Sequence, residues 1–89
     1  MLSSYNAEAI IKGFSNHTRI EILEMLEAFP YISLEEISFK IKVNYKTTSE
    51  HVRKLTVSGL IKKQAHKTSV RHSLTQRGKS ILKFLRTLE

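Results

Sequence analysis

From Asn44 to Lys54 the chain reads N-Y-K-T-T-S-E-H-V-R-K. Wound as a helix, this stretch puts Thr48, Val52 and, one step on, Leu55 on one face. Tyr45, Lys46, Thr47, Ser49, Glu50, Arg53 and Lys54 lie off that face, with His51 flanking it. Hydroxyls, a phenol, a carboxylate and cations at this spacing offer donors and acceptors to a surface, not to a reaction centre. A helix in a DNA major groove presents its first turns to base edges. There lysine or arginine pairs with guanine, and hydroxyls serve either a donor or an acceptor. Glu50 is the odd member. It can accept from a cytosine amine or orient Arg53 or Lys54. The second role is expected, with Lys54 as partner, because Glu before Lys at i, i+4 is the favourable order.

Other chemistries find little material. The chain has no cysteine, which excludes disulfides, thiolate zinc sites and a cysteine nucleophile, and no aspartate to orient a catalytic histidine. Its three glycines are scattered, so there is no phosphate loop. His17, His51, His66 and His72 lack a paired ligand spacing. Assembly of His66, His72 and a glutamate around a metal is the only arrangement left. No enzymatic activity, cofactor or metal is expected.

The charge is lopsided. Residues 1–44 hold four basic and six acidic side chains, a net −2, whereas residues 45–89 hold eleven basic and two acidic, a net +9. A basic half suits a polyanion. A solubilising basic face is the plainer alternative.

These residues need elements to position them. Ala7, Ile10, Ile11 and Phe14 give a first helix over 5–14, ended by Gly13 and Ser15-Asn16. Asn16 caps a second helix over 17–28 whose apolar face carries Ile20, Leu23, Met25 and Leu26. Arg19 stands in its first turn, where the dipole disfavours a cation. Solvation or a carboxylate partner is the expected reason, ahead of a phosphate. Phe29-Pro30 stops this helix, and Tyr31-Ile32 is a short extended piece. Ser33-Leu34-Glu35-Glu36 is a capping box opening a third helix with Leu34, Ile37 and Ile41 buried. Phe39 is off that stripe, at an edge or an interface.

Lys42-Val43 is then a turn, and Asn44 caps the fourth helix, which runs to Ser58. Gly59 and Leu60 end it in a Schellman motif. Ile61–Ala65 and Val70–Leu74 read as two strands, with Val70, His72 and Leu74 on a buried face. The linker from His66 to Ser69 lacks the glycine of a tight hairpin, so a longer loop is expected. Thr75 caps a last helix over 76–88 with Gly78, Ile81, Leu82, Leu85 and Leu88 on its apolar stripe. The sum is one domain over 1–89. Its class is α+β, mainly α: a helix-turn-helix followed by a two-stranded hairpin wing. The first eleven residues lack the charged start and apolar run of a signal peptide, and no apolar run is long enough to span a membrane. A cytoplasmic, nucleoid-associated protein is expected.

In that order the residues resemble the arsenic-repressor-like (ArsR-type) winged helix-turn-helix regulators, with the multiple-antibiotic-resistance (MarR-type) proteins as near relatives. Phe14–Leu23 is similar to the family's L-x-x-P-T-R-x-x-I-L, with His17 in place of proline. Leu34–Ile37 is similar to L-x-E-L, and Asn44–Leu55 to S-x-S-T-V-S-x-H-L-x-x-L. Ser58–Ile61 corresponds to A-G-L-V, and Leu74–Gly78 to L-T-x-x-G. The resemblance implies a homodimer that places its recognition helices in successive major grooves of double-stranded DNA. It puts base contacts on Tyr45, Lys46, Thr47, Ser49 and Glu50. Backbone contacts fall on Asn44, Arg53, Lys54 and a wing comprising Lys62, Lys63, Lys67, Thr68, Ser69 and Arg71. The family's metal sensors use cysteines before the turn, or Asp/His sets on the last helix; neither set is present, so metal sensing does not carry over.

An interface through the first and last helices is expected at Tyr5, Ile10, Ile11, Ile81, Phe84, Leu85 and Leu88. These are more apolar residues than one small core needs, unless the two helices cover each other. The leading expectation is a sequence-specific DNA-binding transcription regulator, a repressor by occlusion. An architectural protein that coats DNA without sequence choice, or a protein-interaction winged helix, stands as the alternative.

Overall fold

The computed structural model describes all residues 1–89. Five helices and three strands follow in the order α1 (Ser4–Phe14), α2 (His17–Ala28), β1 (Ile32–Ser33), α3 (Leu34–Ile41), α4 (Tyr45–Val57), β2 (Ile61–His66), β3 (Ser69–Leu74) and α5 (Gln76–Arg86). Local chemistry sets most of these boundaries. The Ser3 hydroxyl caps α1 by accepting from the Asn6 amide. The Asn16 side chain accepts from the Thr18 and Arg19 amides at the start of α2. Ser33 and Glu36 close the reciprocal capping box at α3. Thr75 caps α5 through the Gly78 amide.

The core is one cluster with α2 at its centre. Ile22, Leu23 and Leu26 of α2 meet Ile37, Val52, Leu55, Leu60, Ile61, Leu74 and Leu82, all buried. Burial of each such side chain stabilises by about 1.5–3 kcal/mol relative to exposure. On α3 only Ile37 is fully enclosed, while Leu34 and Ile41 pack half-buried at the rim.

The turn between α3 and α4 is stitched through one carbonyl. Lys42 adopts a left-handed conformation with φ of 60°, and the Val43 amide donates back to the Ser38 carbonyl at 3.3 Å. The Val43 carbonyl accepts from the Ser38 hydroxyl at 2.6 Å and the Thr48 hydroxyl at 3.3 Å. Thr48 is therefore a packing residue: it is fully buried and its one donor is satisfied. At the far end of α4, the Leu60 amide donates to the Leu55 carbonyl and the Gly59 amide to the Thr56 carbonyl. With Gly59 at φ 75°, this is the Schellman pattern expected from the sequence.

The strands depart from expectation in three ways. The hairpin gains a third strand: β1 pairs antiparallel with β3, Ile32 opposite His72, giving the order β1-β3-β2. The loop is tight, not long. His66 pairs with Ser69, so only Lys67 and Thr68 turn the chain. Lys67 supplies the positive φ of 55° that glycine would otherwise supply, and the Ser69 hydroxyl braces the turn by donating to the His66 carbonyl. Finally, Val70 is exposed. It pairs with Ala65 next to the loop, beyond the reach of the core, whereas His72 and Leu74 are buried. The last helix also stops at Arg86, leaving Leu88 outside it. No helix is long and apolar enough to cross a membrane.

Candidate nucleic-acid interface

The α4 helix carries the candidate face because Thr48, Val52 and Leu55 pin its opposite side to the core. Tyr45, Lys46, Thr47, Glu50, Arg53 and Lys54 are exposed along one ridge, with Ser49 half-buried beside them. Asn44 spends its side-chain oxygen on the cap, accepting from the Thr47 amide at 2.8 Å, which leaves its amide NH2 group free.

Glu50 does hold a cation, but the partner is Arg53 and not Lys54. The guanidinium donates twice to the carboxylate, through Nε at 3.3 Å and through Nη2. The planar fork of arginine matches a carboxylate where an ammonium makes a single contact. That hydrogen bonding holds the Glu50 carboxyl below its ordinary pKa and raises Arg53 above its own. Lys46 and Lys54 have no carboxylate partner.

The wing stands beside this ridge. A cleft of about 630 Å3 lies between the wing and the helix-turn-helix, lined by Ser33, Leu34, Glu35 and Tyr45 on one wall and by Lys63, Gln64, Thr68 and Ser69 on the other. Lys62, Lys63, Lys67 and Thr68 are exposed, as a surface meeting phosphates requires. Arg71 differs from them. Its Nη1 donates to the Glu36 carboxylate at 3.3 Å and to the Tyr31 carbonyl at 3.4 Å, tying β3 to the start of α3. Its charge is paired with Glu36 at a partly exposed site. Gln64 also borders the cleft, and as a neutral side chain in a strand it gave no charge signal in the sequence.

Arg19 has neither expected partner. Its Nη1 donates to the carbonyls of Lys12 and Gly13, at 3.2 and 3.0 Å, and its Nε donates to His51 Nδ1 at 3.1 Å. The cation disfavoured at the start of α2 is thus held at the negative end of α1, where the dipole favours it. To accept that bond His51 must be neutral. Burial, and then the neighbouring Arg19 charge, pull its pKa below the ordinary imidazole value. His72 is also depressed by burial, against a partly compensating contact from Nδ1 to the Ile32 carbonyl at 3.4 Å. No group of three His, Cys, Asp or Glu side chains is placed to hold a metal ion.

The two terminal helices do not cover each other. Tyr5, Ile11, Phe84 and Leu88 are each more than half exposed, while Ile10, Ile81 and Leu85 lean partly on the core. Phe39 is fully outside the core at 85% exposure.

The sequence profile of the MarR family matches residues 15–73. Among solved structures, HlyU from Vibrio cholerae N16961 superposes with a TM-score of 0.81 at 26% identity, covering 96% of this chain and 92% of its own. The transcriptional regulator HlyU from Vibrio vulnificus CMCP6 gives a TM-score of 0.77 at 27% identity, with coverage of 96% and 88%. A homodimeric winged helix-turn-helix DNA-binding domain, Mb0332 from Mycobacterium bovis, described as a possible ArsR-family regulator, gives 0.79 at 22% identity and coverage of 93% and 76%. At that identity the likeness is one of fold. No curated protein sequence matches.

Proposed function

The chain belongs to the MarR family, and from that premise we propose that it is a sequence-specific, double-stranded DNA-binding transcription regulator that works as a homodimer. The carrying observation is the exposed ridge Tyr45–Lys54, rigidly seated by its buried face and flanked by the lysines of a two-residue hairpin. In this reading Tyr45, Lys46, Thr47 and Ser49 face base edges in the major groove. Asn44, Lys54, Lys62, Lys63, Lys67, Thr68 and Ser69 meet the phosphate backbone. Glu50 acts through Arg53, which it holds extended along the ridge. Repression follows by occlusion of the bound site, in the cytoplasm where the DNA lies. The exposed apolar residues of α1 and α5 support dimerisation, as does the printed description of Mb0332 as homodimeric.

Selection of bound sites from random duplexes tests the reading. The expected product is a palindrome with half-sites about one helical turn apart. On that site Lys46→Ala is expected to cost about 1–3 kcal/mol, while Lys67→Ala weakens every sequence alike. Equal losses on selected and random DNA for both variants would overturn base reading.

One observation favours a second reading, coating of DNA without sequence choice. All five arginines are hydrogen-bonded within the fold, so the unpaired cations are lysines. Lysines bind phosphate well and discriminate bases less well than the arginine fork. Steep salt dependence with no selected sequence would establish that reading instead.

A further inference from the structure

A second basic cleft lies on the side of α4 away from the wing. It has a volume of about 310 Å3, and Lys12, Arg19, Arg53 and Lys54 line it over a floor of Gly13 and Ser58. Three elements build it: the end of α1, the first turn of α2 and the C-terminal half of α4. Arg53 also borders the opposite cleft, where Lys63 and His72 stand on the wing side. Arg53 thus marks the crest between two basic flanks.

A helix seated in a major groove about 12 Å wide has a sugar-phosphate strand on each side. The wing lysines serve one strand. The other strand must pass the flank that Lys12 and Arg19 occupy. We propose that this cleft binds a phosphate of that second strand, with Lys12 and Arg19 as contacts additional to those of α4 and the wing. The inference rests on the reading of the chain as a binder of duplex DNA.

The charge balance supports it. Four cations face two carboxylates, Glu8 beside Lys12 at 3.6 Å and Glu50 on Arg53. The Lys12 side chain remains 75% exposed, so its ion pair is loose and exchangeable. Arg19 is the opposite kind of contact. Three hydrogen bonds from Nε and Nη1 fix its plane, while Nη2 has no protein partner. A guanidinium already held in place loses little freedom when it gains an anion.

The test uses the intact chain and a fixed duplex that it binds, with affinity followed from about 50 to 200 mM salt. Each phosphate contact contributes about −0.9 to the slope of log K against log salt, so Lys12→Ala is expected to flatten the slope by roughly that amount. The same relation predicts roughly an 8-fold loss near 0.1 M salt that vanishes on extrapolation to 1 M. The Lys12 side chain is 75% exposed with only a loose surface ion pair to Glu8, and its carbonyl bond to Arg19 survives the substitution; the melting temperature is expected to change little. Lys63→Ala, on the face of β2 toward α4, is the control, and the two losses of slope are expected to add.

An unchanged slope for Lys12→Ala beside a flattened slope for Lys63→Ala overturns the second-strand site and leaves DNA binding intact. Absence of salt-dependent duplex binding by the unaltered chain overturns both. Neutralising single phosphates as methylphosphonates locates the contact. The Lys12 effect is expected to disappear for a phosphate on the strand away from the wing, and its disappearance only on the wing-side strand would refute the assignment.

Discussion

Gly13 sits where α1 crosses α4, and the crossing leaves no room for a side chain. A methyl group added there would lie 1.8 Å from the Ser58 hydroxyl oxygen and 2.5 Å from the Ser58 Cβ, with nothing else closer than 3.9 Å. The φ of Gly13 is negative, so alanine suits the backbone and the penalty is entirely packing. Overpacking of this kind costs about 1–3 kcal/mol, and the helical preference of alanine over glycine returns up to about 1 kcal/mol. Gly13→Ala is therefore expected to destabilise by about 1–2 kcal/mol, or roughly 4–16 °C in Tm for a domain of this size. Because the obstruction is one side chain, Ser58→Gly removes it. In that background Gly13→Ala is expected to be neutral or slightly stabilising, a coupling of about 1–3 kcal/mol in the double-mutant cycle. Thermal melts followed by circular dichroism at one fixed protein concentration measure it, since dimerisation makes Tm concentration-dependent. A Gly13→Ala variant as stable as the parent, or a penalty that persists in full with Ser58→Gly, would refute the reasoning.

Gly78 is tighter in kind, because the obstacle is backbone. Its added Cβ would stand 2.2 Å from the Leu60 carbonyl oxygen, which already accepts from the Thr75 amide; Gly78→Ala is expected to cost about 2–3 kcal/mol, read as a lower urea midpoint. Folded His51 and His72 both have depressed pKa values, so the unfolded chain binds protons first as pH falls. Their contribution is complete above about 6.5 and is lost below it. Tm is expected to decline from pH 7 to pH 5, less steeply in His51→Asn, and a flat profile would contradict the neutral imidazoles. Phe84→Glu, placed on the exposed apolar face of α5, is expected to halve the mass seen by analytical ultracentrifugation; an unchanged mass argues against that face as the interface.

The legible parts of the fold are those written within a few residues of each other. The caps at Asn16, Ser33, Asn44 and Thr75 each bond an amide two or three positions on, and Gly59 announces the end of α4 by its own conformational freedom. The α4 ridge was legible for the same reason, since a period of 3.6 residues fixes what faces outward. What escaped depends on separation in the chain or on small energy differences. Ile32 meets His72 across 40 positions, and Arg19 reaches His51 across 32. Nothing local encodes either meeting. Glu50 choosing Arg53 over Lys54 turns on an i, i+3 against an i, i+4 pair, which differ by a few tenths of a kcal/mol. Lys67 escaped because it occupies a left-handed position that composition assigns to glycine, at a modest local cost that the pairing of β2 with β3 absorbs.

The division of labour between the two cation types follows from those long-range meetings. Arg19 closes the end of α1, Arg71 ties the wing to α3, and Arg77 donates to the Ser58 carbonyl at the end of α4. Arg86 joins α5 to Glu27 of α2, and Arg53 is held by Glu50. All but Arg77, which makes a single bond, spend two or more donors of the guanidinium fork on fixed acceptors, which is what arginine geometry does best. Lys46, Lys54, Lys62, Lys63 and Lys67 are left on the surface that faces DNA in the proposed complex. As point charges on flexible stems they supply affinity and salt dependence. Choice among sequences then rests on Lys46 with the Tyr45, Thr47 and Ser49 hydroxyls, or on Arg53 leaving Glu50 for a guanine. In the second case Glu50 sets the selectivity of the ridge: an arginine freed only where a base edge offers a better acceptor than the carboxylate discriminates against sequences that offer none.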